Sequence, residues 1–474
     1  MKDYLVAMRT VSMKSVAIKR QEVRLPRYLV SELAVKFSVE LNGILYAIRD
    51  ISESGFSVES RGVAPITSRR SCRIFVEETT LVYEGEVERV PRDSELDAYM
   101  FVSKPLSRNL IENLEKAAFI KQSVEASMEN VELPQAFKNF LIDLRHYLFH
   151  VKQRCDELDQ KLRVEPFDIK ESSNVAIEAV FFPWFFDKMI AFSQTLHGFD
   201  RKFTKEQKAS AITLFRESVQ EFYLTSDFVS RIIARPRGYV GDYEMMNEIY
   251  DNNSVGSSTF ARLMYKYGIN EMSSQSVRYR RGLFCKRMLA MAGKGPMAIA
   301  SIACGPAREV ADFLAAIDPK ASGDFSFYLI DQDQEALLSA KRRLVDIKLN
   351  RQLNCEFHFL PLSVKDIISG SNSAGALGQI GFNFIYSAGL YDYLTQPAAK
   401  LLTGILAEWL QPHGSMIVGN YNTQNSTHAI SEYSAGWPLI LRDEPEMVDL
   451  VPAGRRHELH WDDNKINIYL EIRK

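Results

Sequence analysis

The sequence predicts a multidomain chain: a small β-barrel, an α-helical middle and an α/β domain with a mostly parallel sheet. Three patterns carry that reading. From about residue 24 to 106, apolar and polar residues alternate with period two, broken by Asn42-Gly43 and Ser54-Gly55. From about 122 to 292, apolar residues recur at three- and four-residue steps with charges between them. From Met297 onward, short apolar runs alternate with helical stretches, which implies crossover units and a sheet covered on both faces. The expected divisions are 1–121, 122–292 and 293–474.

Element by element, the first part ends in a helical stretch over 107–118. The middle should hold helices at 136–162, 176–195, 205–224 and 276–292. Its most apolar run, 175–192, carries Glu178, Pro183, Asp187 and Lys188, so it makes a poor membrane span and reads as a buried helix or pocket wall. Its aromatic cluster, Phe181, Phe182, Trp184, Phe185 and Phe186, could form an acyl pocket but reads better as core. In the last part, strands are expected at 297–303, 325–330, 356–360, 382–386 and 415–420. Helices fit at 308–317, 334–348 and 397–410. Runs 456–461 and 465–472 flank Asp462-Asp463-Asn464, a hairpin signal that makes the end of the sheet antiparallel.

A net charge of -2 offers no overall basic field for nucleic acid. Locally, Lys14, Lys19, Arg20, Arg24 and Arg27 crowd together against Glu22 alone, which suits a phosphate ligand. Five cysteines, an odd number, are scattered without metal-ligand spacing, so neither a disulfide framework nor a metal site is expected. A reducing, cytoplasmic compartment fits. Residues 1–11 are too short and polar to supply the apolar core of a leader. Assembly as a homodimer is left open.

The chemistry is concentrated at Ile299-Ala300-Ser301-Ile302-Ala303-Cys304-Gly305-Pro306-Ala307-Arg308-Glu309, a strand, tight turn and helix start. Gly305 would let backbone approach a ligand, and the helix N-terminus favours an anionic group. Downstream, Asp331 ends the next strand, where an acid can accept both hydroxyls of a ribose. A dinucleotide site would need three glycines here, and only one is present. The segment resembles the first loop of class I methyltransferases, with Asp331 as the ribose acid. Leu360-Pro361-Leu362-Ser363-Val364 sits where the adenine-contacting loop would follow the third strand, and Phe384-Ile385-Tyr386-Ser387-Ala388-Gly389 ends the fourth. The resemblance implies S-adenosylmethionine as cofactor, bound by Ala303, Cys304, Gly305, Arg308, Asp331, Gln332, Ser363, Val364, Ser387, Ala388 and Gly389.

The stretches Arg235-Pro236-Arg237-Gly238-Tyr239-Val240-Gly241-Asp242-Tyr243, Ser387-Ala388-Gly389-Leu390-Tyr391-Asp392-Tyr393 and Val418-Gly419-Asn420-Tyr421 are similar to a bacterial group. That group is labelled extracellular-factor 3-hydroxypalmitic acid methyl ester biosynthesis protein. The label implies O-methylation of a 3-hydroxy fatty acid carboxyl. A carboxylate acceptor needs a positioning cation and a dry pocket. An amine or hydroxyl would also need a base, for which Asp392, Asp242 or a tyrosine is available. Arg235 and Arg237 offer a bidentate carboxylate clamp, in a loop whose glycines read as a lid. Tyr239, Tyr243 and Tyr391 are the expected catalytic tyrosines. Tyr393, Asn420 and Tyr421 are expected to contact the acceptor. Arg278, Arg280 and Arg281 either reach the methionine carboxylate or face solvent.

In the first part, Arg20-Gln21-Glu22-Val23-Arg24 followed by Asp50-Ile51-Ser52-Glu53-Ser54-Gly55 resembles the PilZ domain, a β-barrel sensor of cyclic di-GMP. The resemblance implies phosphate and guanine contacts from Arg20 and Arg24, with Arg24 and Arg27 as an alternative pair. Asp50 would accept from guanine N–H groups, Ser52 would donate to phosphate, and Gly55 would permit the turn. The combined expectation is a small-molecule methyltransferase regulated by cyclic di-GMP. The alternative is a nucleotide-responsive scaffold protein that keeps a non-catalytic methyltransferase fold.

Overall fold

The computed structural model describes residues 28–29, 36–41, 43–52, 55–59, 69–77, 80–90, 96–102, 106–107, 110, 131–370 and 372–474. Apart from residues 107 and 110, the expected helix over 107–118 lies outside them, as does the boundary near 121. Among the described residues seven strands come first: β1 (Tyr28–Leu29), β2 (Phe37–Leu41), β3 (Ile44–Ser52), β4 (Gly55–Glu59), β5 (Arg70–Val76), β6 (Thr80–Val90) and β7 (Leu96–Phe101). All pairings are antiparallel. β2, β3, β4, β7, β6 and β5 close into a ring, and β1 pairs with β3. The alternation fills the barrel: Phe37, Val39 and Leu41 on β2 and Cys72 and Ile74 on β5 are buried, each two residues from the next. Gly55 is required for a different reason from the turn expected of it. A Cβ there would lie 2.0 Å from the Tyr99 carbonyl oxygen, so glycine lets β4 approach β7.

The middle holds α1 (Gln135–Leu162), α2 (Phe167–Asp200), α3 (Lys205–Tyr223), α4 (Asp227–Ala234), α5 (Tyr243–Asp251), α6 (Thr259–Asn270) and α7 (Met272–Leu289). Apolar residues at helical spacing on α1, including Phe137, Phe140, Leu141, Leu144 and Leu148, meet Phe185, Met189 and Leu196 of α2 in one core. α2 is longer than expected and runs through Pro183 without a break. Within its aromatic cluster Phe185 is buried and Trp184 is exposed. α7 begins a turn before the expected start because Glu271 accepts from the backbone N–H groups of Ser273 and Ser274.

The last unit runs β8 (Met297–Ile302), α8 (Arg308–Ala316), β9 (Phe325–Asp331), α9 (Gln334–Asn350), β10 (Glu356–Pro361), α10 (Val364–Ser369), α11 (Asn372–Leu377), β11 (Phe382–Ser387), α12 (Gln396–Trp409), β12 (Leu410–Tyr421), α13 (His428–Ala435), α14 (Glu444–Val448), β13 (Arg456–Trp461) and β14 (Asn467–Arg473). The sheet order is β10-β9-β8-β11-β12-β14-β13. Its first five strands are parallel and the closing hairpin is antiparallel. Both faces are covered. Ile299 packs with Phe284, Met288 and Phe313 on one side, while Ala300 and Ile302 pack with Leu402 and Leu406 on the other.

The helical layer is joined to this unit by polar contacts at specific points. Arg281 pairs with Asp312, and Asn467 Nδ2 donates to Ser276 Oγ at 2.7 Å. α13 comes from the α/β unit yet adds Ala429, Ile430 and Tyr433 to the helical core. Arg216 Nε donates to the Tyr433 carbonyl at 2.9 Å. Among the described residues no helix is long and apolar enough to cross a membrane.

Candidate active site

The sheet order reverses between β8 and β11, and in an open α/β sheet ligands occupy the crevice beyond the carboxyl ends of strands at such a point. A cavity of about 340 Å³ lies there. Its floor is residues 301–306 at the end of β8 and just beyond it, 330–332 at the end of β9, 362–364 after β10 and 388–390 after β11. Its roof comes from the helical layer: Tyr239, Val240 and Gly241, Tyr243, Met246 and Tyr250 of α5, and Val277 and Arg280 of α7, with Trp437 beside them.

The turn after β8 takes left-handed backbone at Ala303 (φ 54°), Gly305 (φ 52°) and Ala307 (φ 47°). The two alanines there cost about 1–2 kcal/mol each. A Cβ on Gly305 would touch nothing within 4 Å, so this backbone faces open space. Its N–H donates to Asp331 Oδ2 at 2.8 Å, and the Asp333 N–H donates to Asp331 Oδ1 at 2.9 Å. Burial raises the Asp331 carboxyl above its usual range, and these N–H bonds oppose the rise. Glu309, buried in the first turn of α8, accepts from the Tyr386 hydroxyl at 2.8 Å.

Two further charged groups of opposite sign, Arg280 and Asp392, border the cavity. Arg280 is 7% exposed; Nη1 donates to the Ala388 carbonyl at 2.9 Å, and Nε is buried with no partner. No carboxylate pairs with it among the described residues. Asp392 is 3% exposed, and Oδ1 accepts from the Tyr421 N–H at 2.6 Å. Burial pushes its carboxyl up to about 6, against the Tyr421 N–H and the charges of Arg280 and Arg442. Nearby, the Trp437 indole N–H donates to the Tyr393 hydroxyl at 3.1 Å. Gly241 (φ 77°) fits beneath them, since a Cβ there would stand 2.8 Å from that hydroxyl.

The loop before α5 straps roof to floor. The Tyr239 hydroxyl donates to Asp333 Oδ2 at 2.8 Å. Arg237 bonds Glu335 at 2.7 Å and Asp333 at 3.4 Å, and its guanidinium lies 4.5 Å from the Tyr243 ring centre.

The structure therefore brings together Ala303, Cys304, Gly305, Asp331, Gln332, Ser363, Val364, Ala388, Gly389, Tyr239, Tyr243, Tyr393 and Tyr421 on the cavity wall. Seven other residues singled out in the sequence do not line it. Tyr391 faces the core, its hydroxyl 3.0 Å from Thr403 Oγ1, because the short turn over residues 391–393 points Tyr391 inward. Arg308 turns outward to Asp251 and Asn247. Ser387 is buried against the Ile302 carbonyl. Arg235 caps the Gly436 carbonyl, and Arg237 is held by carboxylates, so neither is a free carboxylate clamp. Asn420 is buried and bonded to Arg442 and the Ile440 carbonyl. Asp242 caps α5 and pairs with Arg231 at 2.9 Å, so it is no base for the acceptor.

Met246, Tyr250, Val277 and Trp437 also line the cavity, and no motif in the sequence marks them. Of the three arginines, Arg278 bonds helix carbonyls and Arg281 pairs with Asp312, leaving Arg280 at the cavity. A signal for it was present, since Val277, Arg280, Phe284 and Met288 share one buried helical stripe. In the barrel, Asp50 and Ser52 lie on β3, paired with Ser57 and Gly55 of β4. Arg20, Arg24 and Arg27 lie outside the described residues.

No protein-family model matches the chain, and no curated protein is similar to it in sequence. Solved structures are similar at low identity. A protein from Bordetella parapertussis is 15% identical with a TM-score of 0.41, over 61% of this chain and 95% of that one. The magnesium protoporphyrin IX methyltransferase of Synechocystis PCC 6803, with bound S-adenosylhomocysteine, is 10% identical with a TM-score of 0.34, over 52% and 100%. The N-methyltransferase NodS of Bradyrhizobium japonicum WM9, in complex with S-adenosylhomocysteine, is 13% identical with a TM-score of 0.30, over 49% and 97%.

Proposed function

We propose that this chain is an S-adenosylmethionine-dependent methyltransferase acting on a small molecule. The observation that carries the reading is the pairing of the Gly305 N–H with Asp331 at 2.8 Å, on the floor of a cavity at the sheet's switch point. The residues fit the donor. Each Asp331 oxygen accepts one backbone N–H and retains a lone pair for a ribose hydroxyl. Leu362, Val364 and Ile367 give the adenine an apolar wall, and Ser363 caps α10 beside it. Arg280, a buried guanidinium without a carboxylate partner, suits the donor's amino-acid carboxylate. When bound, the donor supplies a sulfonium methyl for in-line displacement.

The chain's own part is to orient the acceptor, exclude water and take a proton. Asp392 borders the cavity as a carboxylate poised near neutral pH, which suits a hydroxyl or amine acceptor. The carboxyl of a 3-hydroxy fatty acid would need a cation, and Arg235 and Arg237 are engaged elsewhere. Calorimetry with S-adenosylhomocysteine tests the reading. Binding by the wild type, weakened at least about tenfold in Asp331→Ala and Arg280→Ala, is expected. A wild type that releases no heat would overturn it.

The barrel supports a second reading, cyclic di-GMP binding that adjusts methyl transfer. It rests on the β3–β4 hairpin, which places Asp50, Ser52 and Gly55 on adjoining strands. Equal heats of nucleotide binding for the wild type and an Arg24→Ala, Asp50→Ala double variant would remove it.

A further inference from the structure

A second cavity, of about 510 Å³, shares no lining residue with the first. It lies where the end of α2 and the start of α3 meet the segment between β12 and α14. Its two acids are already satisfied. Lys208 Nζ stands 3.2 Å from Asp200 and 2.8 Å from Glu432, and Asp200 also accepts from the Tyr433 hydroxyl at 3.0 Å. Lys208 thus occupies the position between carboxylates that a bound cation would take.

The other nitrogen groups at this cavity are unengaged. His428 is 8% exposed, and its imidazole makes no hydrogen bond among the described residues. His197 lines the same cavity, with Nδ1 buried and unpartnered. Arg201 stands at the rim, its guanidinium without a carboxylate partner among the described residues. A buried polar nitrogen left unbonded costs about 1–3 kcal/mol, so His197 Nδ1 calls for a partner, and the unbonded His428 ring on the same cavity can share it. Two ring N–H groups and a planar guanidinium match a tetrahedral oxyanion, which accepts from several directions at once.

We propose that this cavity is a second ligand site and binds a phosphate group, free or as a monoester. Arg201 pairs with two of its oxygens, and His197 and His428 donate from the buried side. The backbone that holds the site continues directly to the first cavity: Pro438 lines one and Trp437 the other.

The test is calorimetry of the full chain with inorganic phosphate and, separately, glycerol 3-phosphate, in a buffer free of both. Saturable binding of either ligand is expected, weakened at least about tenfold in Arg201→Ala and in His428→Gln. Arg201 is exposed, so that variant remains informative if replacing the buried histidine impairs folding. Asp331→Ala, at the other cavity, should leave phosphate affinity unchanged whatever happens to the methyl donor. Absence of saturable heat with both ligands, or equal affinity in the wild type and Arg201→Ala, would overturn the proposal.

Discussion

Arg280 fills the space that a side chain on Gly389 would need: a Cβ there would lie 2.6 Å from Nη1 of the guanidinium. Arg280 belongs to α7, in the helical layer, and Gly389 to the loop that leaves β11. The contact sets how closely the roof sits on the floor and aims the guanidinium at the cavity.

Gly389→Ala should therefore displace Arg280 and weaken S-adenosylhomocysteine binding by about tenfold or more, while overpacking costs about 1–3 kcal/mol of stability. Calorimetry and thermal melts measure both. Unchanged affinity would show that Arg280 does not meet the donor.

Asp392 gives a prediction whose sign depends on pH. Its carboxyl moves from an ordinary 3.8 to about 6 on folding. Between those values the folded state holds more protons than the unfolded one, so this group costs stability as pH rises through the window. Asp392→Asn keeps an acceptor for the Tyr421 N–H and removes the charge. It should be more stable than the wild type at about pH 8, by an order of 1–3 kcal/mol, with the difference gone at about pH 3. With a hydroxyl or amine acceptor its methyl transfer should fall by about a hundredfold or more, and donor binding should persist. Transfer at the wild-type rate would remove Asp392 as the base.

Tyr391 and Tyr393 lie two residues apart on one short turn, yet only Tyr393 lines the cavity. Tyr391→Phe should cost about 1 kcal/mol through the lost bond to Thr403 and leave methyl transfer intact. A drop in turnover without loss of stability would restore a chemical role to Tyr391.

What the sequence reveals here follows from how local each signal is. The five parallel strands and the closing hairpin start within a few residues of their expected positions, except that β12 begins earlier, because period and turn chemistry are written in neighbouring residues. The turn at Gly305 and the acid at Asp331 were legible for the same reason. Arg280 was harder: its burial depends on α5 and β11, which meet α7 only in the folded chain. The same holds for α13, whose Tyr433 joins a helical core built some two hundred residues earlier. Arg235 and Arg237 look like free cations in the sequence, because their partners at Gly436 and Glu335 are distant in it.

The turn after β9 has a consequence for reading any future variant. Asp331 borders the cavity from the floor, and Asp333, two positions on, anchors Tyr239 of the roof and Arg237 in the strap beside it. Occupancy and closure are thus read by the same three residues. Arg237 lines no part of the cavity, yet an injury there will pass for a defect in gripping the donor.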